Sequence, residues 1–250
     1  MKKVFYIGFS GFCFLISLYL TFPMDSLRPF LEKQMTNALS GEGQGAHFVR
    51  PPQVNIGELS LWRLSGAAMS NVQIQMGSEN SEPGQKLQFE ELKIRFGIFS
   101  TLSGKPKIEF DSLVYSGRAR GAVTMTPEGS LGALWLDITQ IDLQKLRGPV
   151  GEQGLKIAGQ LNLASDLNMG KHPAKDGAGS LDLNFKNLSV GPGVFEIPGG
   201  GGFGGMTLPL IKLGQFFGKA SFQNGKAKIQ DLRLSGGDIE AHINASVELA

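Results

Sequence analysis

The chain has 250 residues, 41% hydrophobic and 18% charged, which is enough apolar content for a sizeable core and argues against global disorder. Its formal net charge of +2 matches Lys2 and Lys3 alone, leaving 22 basic against 22 acidic residues; with no basic arm or stripe, nucleic acid is not an expected partner. The single cysteine, Cys13, excludes an intrachain disulfide and a multi-Cys zinc site, while 35 glycines point to β-structure with many turns.

Residues 1–3 carry the charge, and Val4 to Phe22 follow as 19 residues without any. As a helix this run is roughly 28 Å long, close to a bilayer core of about 30 Å. Its apolar members Val4, Phe5, Ile7, Phe9, Phe12, Phe14, Leu15, Ile16, Leu18, Leu20 and Phe22 are the candidate anchor residues. A cleaved signal peptide would have an apolar region of about 7–15 residues and a small-x-small cleavage site. Here the run ends in "LYLTFPMD", bulky and proline-containing, so the segment reads as an uncleaved transmembrane anchor. The preceding lysines favour a cytoplasmic tail at 1–3. Everything beyond Met24 is then expected across the inner membrane, in the periplasm if the cell is a diderm bacterium.

"DSLRPFLEKQMTNAL" (25–39) reads as a short amphipathic helix, with Leu27, Phe30, Leu31, Met35, Ala38 and Leu39 on one face and Gln34 as the polar exception. Ser26 is positioned to cap it, and Pro29 falls in the first turn, where a missing N–H does little harm. Such a helix is expected to cover one end of a sheet, in preference to lying on lipid.

From residue 46 to 250 the pattern is β. Apolar residues (h) recur as h-x-h-x-x-h-x-h in "AAMSNVQI" (67–74), "LQFEELKI" (87–94), "IEFDSLVY" (108–115), "LDITQIDL" (136–143), "LNFKNLSV" (183–190) and "AKIQDLRL" (227–234). The central x-x pair slips the alternation by one residue, which in a straight strand would turn half of the apolar side chains to the wrong face. A β-bulge absorbs such a residue; a tight turn between two short strands is the alternative, kept open by the SN, DS and KN pairs. The pattern predicts a curved, mostly antiparallel sheet with bulged strands. Turns are expected at 77–85, 103–106, 126–130, 170–179 and at Asn224–Gly225, with one helical turn within 142–148. Alternation from Ile239 to Leu249 stops without a closing turn, leaving two readings open: a truncated piece of a longer β-structure, or an edge strand.

The glycine-rich stretch at 199–205 formally contains G-x-G-x-x-G at Gly200, Gly202 and Gly205. A dinucleotide site needs a helix opening at the last glycine, and Pro209 follows four residues on; a Walker A loop needs a lysine, and Met206–Thr207 supplies none. It reads as a flexible connection. The chain has no H-E-x-x-H and no G-x-S-x-G; His47, His172 and His242 are scattered, and Glu90, Glu91, Asp137, Asp142 and Asp238 fall at strand positions expected to be solvated. No catalytic residue, cofactor or metal is therefore expected. The remaining candidate is the apolar sheet face, either a simple core or a lipid groove; 17 phenylalanines against 3 tyrosines and 2 tryptophans suit a dry surface.

"LTFPMDSLRPFLEKQM" after the apolar segment resembles the opening of a variant form of type II secretion system protein N. The later run carries Leu208–Pro209, Leu213–Gly214, Asn224–Gly225 and Leu232 to Asp238 in that family's order. "IRFGIFSTLSGKPKIEF" is similar to the strand–loop–strand units of the wider AsmA and TamB group. The resemblance implies an inner-membrane anchor with a periplasmic β-domain, serving as a structural or accessory component of type II secretion with other components of that machinery as partners. The alternative it implies is an AsmA/TamB-like lipid-binding or lipid-transfer module. It carries over no catalytic residue.

Overall fold

The computed structural model describes residues 6, 9–11, 13–14, 17, 21, 23–40, 52–63, 65–75, 86–128, 130–145, 156–170, 177–195, 206–223 and 226–248. A 3-10 turn, Met24–Leu27, leads into helix α1, Arg28–Ser40. The strands are β1 (Gln53–Asn55), β2 (Glu58–Trp62), β3 (Gly66–Gln75), β4 (Lys86–Phe96), β5 (Lys107–Val114), β6 (Gly117–Met125) and β7 (Leu131–Asp142). They continue as β8 (Ile157–Asn168), β9 (Ala178–Val190), β10 (Gly193–Phe195), β11 (Met206–Leu208), β12 (Ile211–Gln223), β13 (Lys226–Ser235) and β14 (Ala241–Glu248). A short helix α2, Ile98–Leu102, joins β4 to β5, and a 3-10 turn, Leu143–Lys145, falls where one helical turn was expected after β7. Twelve strands form one open antiparallel sheet in the order β1-β3-β4-β5-β6-β7-β8-β9-β12-β13-β14, with β2 also paired to β3; β10 and β11 make a separate hairpin.

The phase slips explain how such a meander keeps one face apolar. In β3, Ala67, Met69, Val72 and Ile74 share a face because Asn71, between them, takes a left-handed φ of 52°. In β4, pairing to β5 jumps from Phe89 to Glu91, so Glu90 is the extra residue. In β7, pairing to β8 jumps from Ile138 to Ile141 across Gln140 at φ 57°. In β9, Asn187 sits at φ 53° where Gly159 of β8 is skipped, and in β13 the pairing to β12 skips Gln230. Five of the six slips are thus bulges, and three place the second residue of the pair in the left-handed region, which Asn tolerates better than most residues.

The sixth slip, in "IEFDSLVY", corrects the expectation. β5 runs straight from Lys107 to Val114 against β6, so Ser112 lands on the apolar face at 3% exposure and Leu113 faces outward. Tyr115 and Ser116, at φ 49° and 61°, form the two-residue turn between Val114 and Gly117. Both central residues at positive φ is the primed-turn geometry that matches strand twist. The turn comes before the slip can be absorbed, so it fixes the register in place of a bulge.

Helix α1 covers one end of the sheet, as expected. Met24, Leu27, Leu31 and Met35 pack on a cluster of Ile56, Leu59, Met69, Val72 and Ile74, in which Val72 is completely buried. The Glu32 carboxylate accepts a hydrogen bond from the Ile56 amide at 2.9 Å, satisfying a donor left over where the edge breaks between β1 and β2. Two details differ from the sequence reading. Ser26 does not cap the helix: its hydroxyl donates back to the Pro23 carbonyl, and the 3-10 turn supplies the entry. Phe30 lies off the packed face and is exposed.

The left-handed bulge makes a direct prediction. Asn71→Val should cost about 1–2 kcal/mol, because a Cβ-branched residue crowds the left-handed region. Urea unfolding should show a lower midpoint at unchanged slope, and Asn71→Gly should stay close to the parent.

Candidate binding face

Residues directly opposite in an antiparallel pair share a face. Following the register from strand to strand therefore traces rows across the sheet. One row runs Leu92, Ser112, Ala119, Ile138, Leu163, Leu183, Gly218, Leu232 and Ile243, from β4 to β14. A parallel row runs Ile94, Phe110, Gly121, Leu136, Ser165, Leu181, Ala220, Ile229 and Ala245. Ser112 and Ser165 are the polar members of these rows. At about 4.8 Å per strand, each row is about 38 Å long.

The main cover on this face lies over its first strands. The buried aliphatic cluster sits beneath α1; farther along, the 3-10 turn Leu143–Lys145 packs beside β8, where Ile141 and Leu143 are buried, and no α-helix or second sheet packs across the face from β6 onward among the described residues. Leu134, Leu136, Leu163, Leu183, Phe216 and Leu232 are accordingly half-buried, screened by neighbours in the same layer, and Ile243 is exposed. Phe185 and Phe216, opposite each other on β9 and β12, meet edge to face at 5.7 Å. The glycines on this face differ in the room they leave. A Cβ at Gly121 would come 2.5 Å from the Phe110 ring, whereas one at Gly218 would meet only ordinary contacts at 3.5 Å and beyond.

The opposite face carries charge in register. Lys93, Asp111, Arg120 and Asp137 lie opposite one another across β4 to β7, alternating in sign. Arg118 donates to both Asp111 carboxylate oxygens (Nε 2.8 Å, Nη2 2.5 Å), Arg120 to Asp137 at 2.6 Å, and Arg95 and Lys107 both engage Glu109. The Arg118 hydrogen bonds hold Asp111 below its ordinary carboxyl value, helped by Lys93 and Arg120 and opposed by burial. Lys107 and then Arg95 do the same for Glu109. The row was not legible beforehand, because its members are spread over 45 positions and meet only through the register.

Of the candidate anchor residues, Phe9 and Phe14 are helical and exposed; Val4, Phe5, Ile7, Phe12, Leu15, Ile16, Leu18, Leu20 and Phe22 lie outside the described residues. Among the described residues, no helix is long and apolar enough to cross a membrane. The glycine run at 199–205, His47 and His172 also lie outside them. The carboxylates do not converge: Glu91 pairs with Lys93, Asp137 with Arg120, Asp142 accepts from the Gln144 amide and Asp238 from the Lys212 amide. His242 faces outward and contacts Asp231 at 3.1 Å. Among the described residues no group of three or more His, Cys, Asp or Glu side chains could hold a metal ion. No family model, curated protein or solved structure matches the chain.

Two outcomes follow from the two faces. The Ser112 hydroxyl has no partner among the described residues, so Ser112→Ala should leave the urea midpoint unchanged or raise it. On the charged face, the lowered acids stabilise the fold fully above their unfolded values near pH 4 and lose that contribution as pH falls through their lower folded values. Asp111→Asn should flatten the fall of the urea midpoint between about pH 4 and 2, leaving Glu109 to supply the rest.

Proposed function

We propose that this chain is a membrane-anchored, non-catalytic module that holds lipid acyl chains against its open sheet face, working as an accessory component of the type II secretion machinery. The observation that carries the binding part is the apolar face on which, among the described residues, no α-helix or second sheet lies from β6 to β14. Side chains in that state still expose apolar area, and each further Å² removed from water is worth about 25 cal/mol. An acyl chain spans about half of a 30 Å bilayer core, so a 38 Å row has room for two chains end to end.

The anchor reading is supported by the 19 uncharged residues from Val4 to Phe22 behind Lys2 and Lys3, with the sheet placed in the periplasm. The secretion setting is supported by the order of Leu208–Pro209, Leu213–Gly214, Asn224–Gly225 and Leu232 to Asp238. Lipid transfer independent of secretion is the second reading, favoured by the continuity of the apolar rows across β4 to β14.

Gly218→Phe separates these readings. A Cβ at Gly218 meets only ordinary contacts and points out from the face, so the unfolding midpoint should stay close to the parent's while acyl-chain binding weakens roughly tenfold, about 1.4 kcal/mol. In a deletion strain, exoproteins should accumulate in the periplasm, wild-type chain should restore their release, and Gly218→Phe should restore it only in part. Normal secretion in the deletion strain would remove the secretion role, and unchanged acyl-chain binding by the variant would remove the groove.

A further inference from the structure

At one end of the first strands, two connections lie side by side. Trp62 and Arg63 make the turn from β2 into β3, and residues 97–106, including α2, join β4 to β5. They are tied together at the strand ends: the Phe96 amide donates to the Ser65 carbonyl at 3.1 Å, and the Ser65 hydroxyl donates to the Phe96 carbonyl at 2.5 Å. This end is unusually apolar for a solvent-facing edge. Leu102 is 80% exposed, Phe96 56% and Ile98 47%. The charged residues in these two connections are Arg63, which lies over the Trp62 ring at 5.2 Å, and exposed Lys105, with no acid between Trp62 and Gly66 or between Gly97 and Lys107.

The N-terminal segment reaches the sheet at this same end. The 3-10 turn Met24–Leu27 packs against β2, whereas α1 continues toward β1. β2 pairs with the Gly66 end of β3, and β1 with the Gln75 end. Gly66 in turn lies opposite Arg95, next to Phe96 and α2. Helix α1 therefore runs from the α2 end toward the other end, and Pro23 and Met24 lie on the α2 side.

We propose that this strand end is a membrane-contact surface: Ile98, Leu102 and Phe96 insert at the lipid interface, Trp62 sits at headgroup level, and Arg63 and Lys105 meet lipid phosphates. Exposed aliphatic residues flanked by cations and a tryptophan are the chemistry of an interfacial segment, and the acids at this end, Asp25 (paired to Arg28) and Glu128, lie outside the two connections. The surface is confined to β2 through β5, because a twist of roughly 20–25° per strand turns the corresponding ends of later strands away. Its placement against the bilayer rests on the reading of residues 4–22 as an anchor.

The test uses the full chain with Cys13→Ser, reconstituted into vesicles of phosphatidylethanolamine and phosphatidylglycerol, carrying one environment-sensitive label in each of three variants. Leu102→Cys reports the proposed surface, Ser116→Cys the opposite end of β5, and Phe14→Cys the anchor. The proposal expects a blue-shifted Leu102→Cys label quenched by lipid-borne nitroxide, with the Ser116→Cys label left in water. A water-exposed Leu102→Cys label overturns it, and so does one shielded from water but not quenched by lipid nitroxide, which would mark a protein contact. A Phe14→Cys label in water removes the anchor reading alone; the Leu102→Cys label still decides this surface.

Discussion

The structure depends on keeping one face of a long antiparallel meander apolar although the sequence repeatedly slips its own alternation. An unabsorbed slip would send the two apolar residues beyond it to the opposite face. For half-buried aliphatic side chains that forfeits roughly 1.5–3 kcal/mol per strand, half the value for full burial. A left-handed residue costs at most about 1–2 kcal/mol, and less when it is Asn, as at positions 71 and 187. The bulge therefore wins wherever the strand continues far enough to use the restored phase. In β5 it does not: two residues beyond the Asp111–Ser112 pair the chain turns at Tyr115, so the lesser loss is one outward Leu113 and one buried Ser112.

That constraint also shapes the edge. Because Asn71 interrupts β3, the strand beside it splits into β1 and β2, and the Ile56 amide between them turns to Glu32 of α1. The helix thus does more than cover apolar surface: it satisfies a backbone donor that no strand can reach. The most deeply buried cluster forms there, where sheet and helix supply two layers. Farther along the sheet there is mostly one layer among the described residues, and its aliphatic side chains are largely half-buried, Ile141 and Leu143 excepted.

The two faces perform different work. The charged face ties β4 to β7 through Arg118–Asp111, Arg120–Asp137 and the Arg95–Glu109–Lys107 group, all cross-strand or near-neighbour pairs. Such exposed pairs are individually modest, and their value lies in fixing register and resisting slippage. The apolar face is a continuous surface of aliphatic and aromatic side chains. Glu91, Asp137, Asp142 and Asp238 are each engaged locally.

The sequence by itself determined the β class, the positions of the slips, the short helix on the sheet end and the turns at 103–106 and 126–130, because these follow from local periodicity and turn chemistry; the turns expected at 77–85 and at Asn224–Gly225, and most of 170–179, lie outside the described residues. It determined, too, that Val4 to Phe22 is uncharged and that the chain holds neither H-E-x-x-H nor G-x-S-x-G. Only the tertiary structure decided which slips become bulges and which ends in a turn, since that depends on where each strand finds its partner. It alone brought Lys93, Asp111, Arg120 and Asp137 into one row, placed Ser112 among apolar neighbours and took Phe30 off the helix contact. Whether an alternating face is a closed core or an open surface is likewise invisible to periodicity, which specifies sides; what lies opposite each side is set by contacts between residues far apart in the chain.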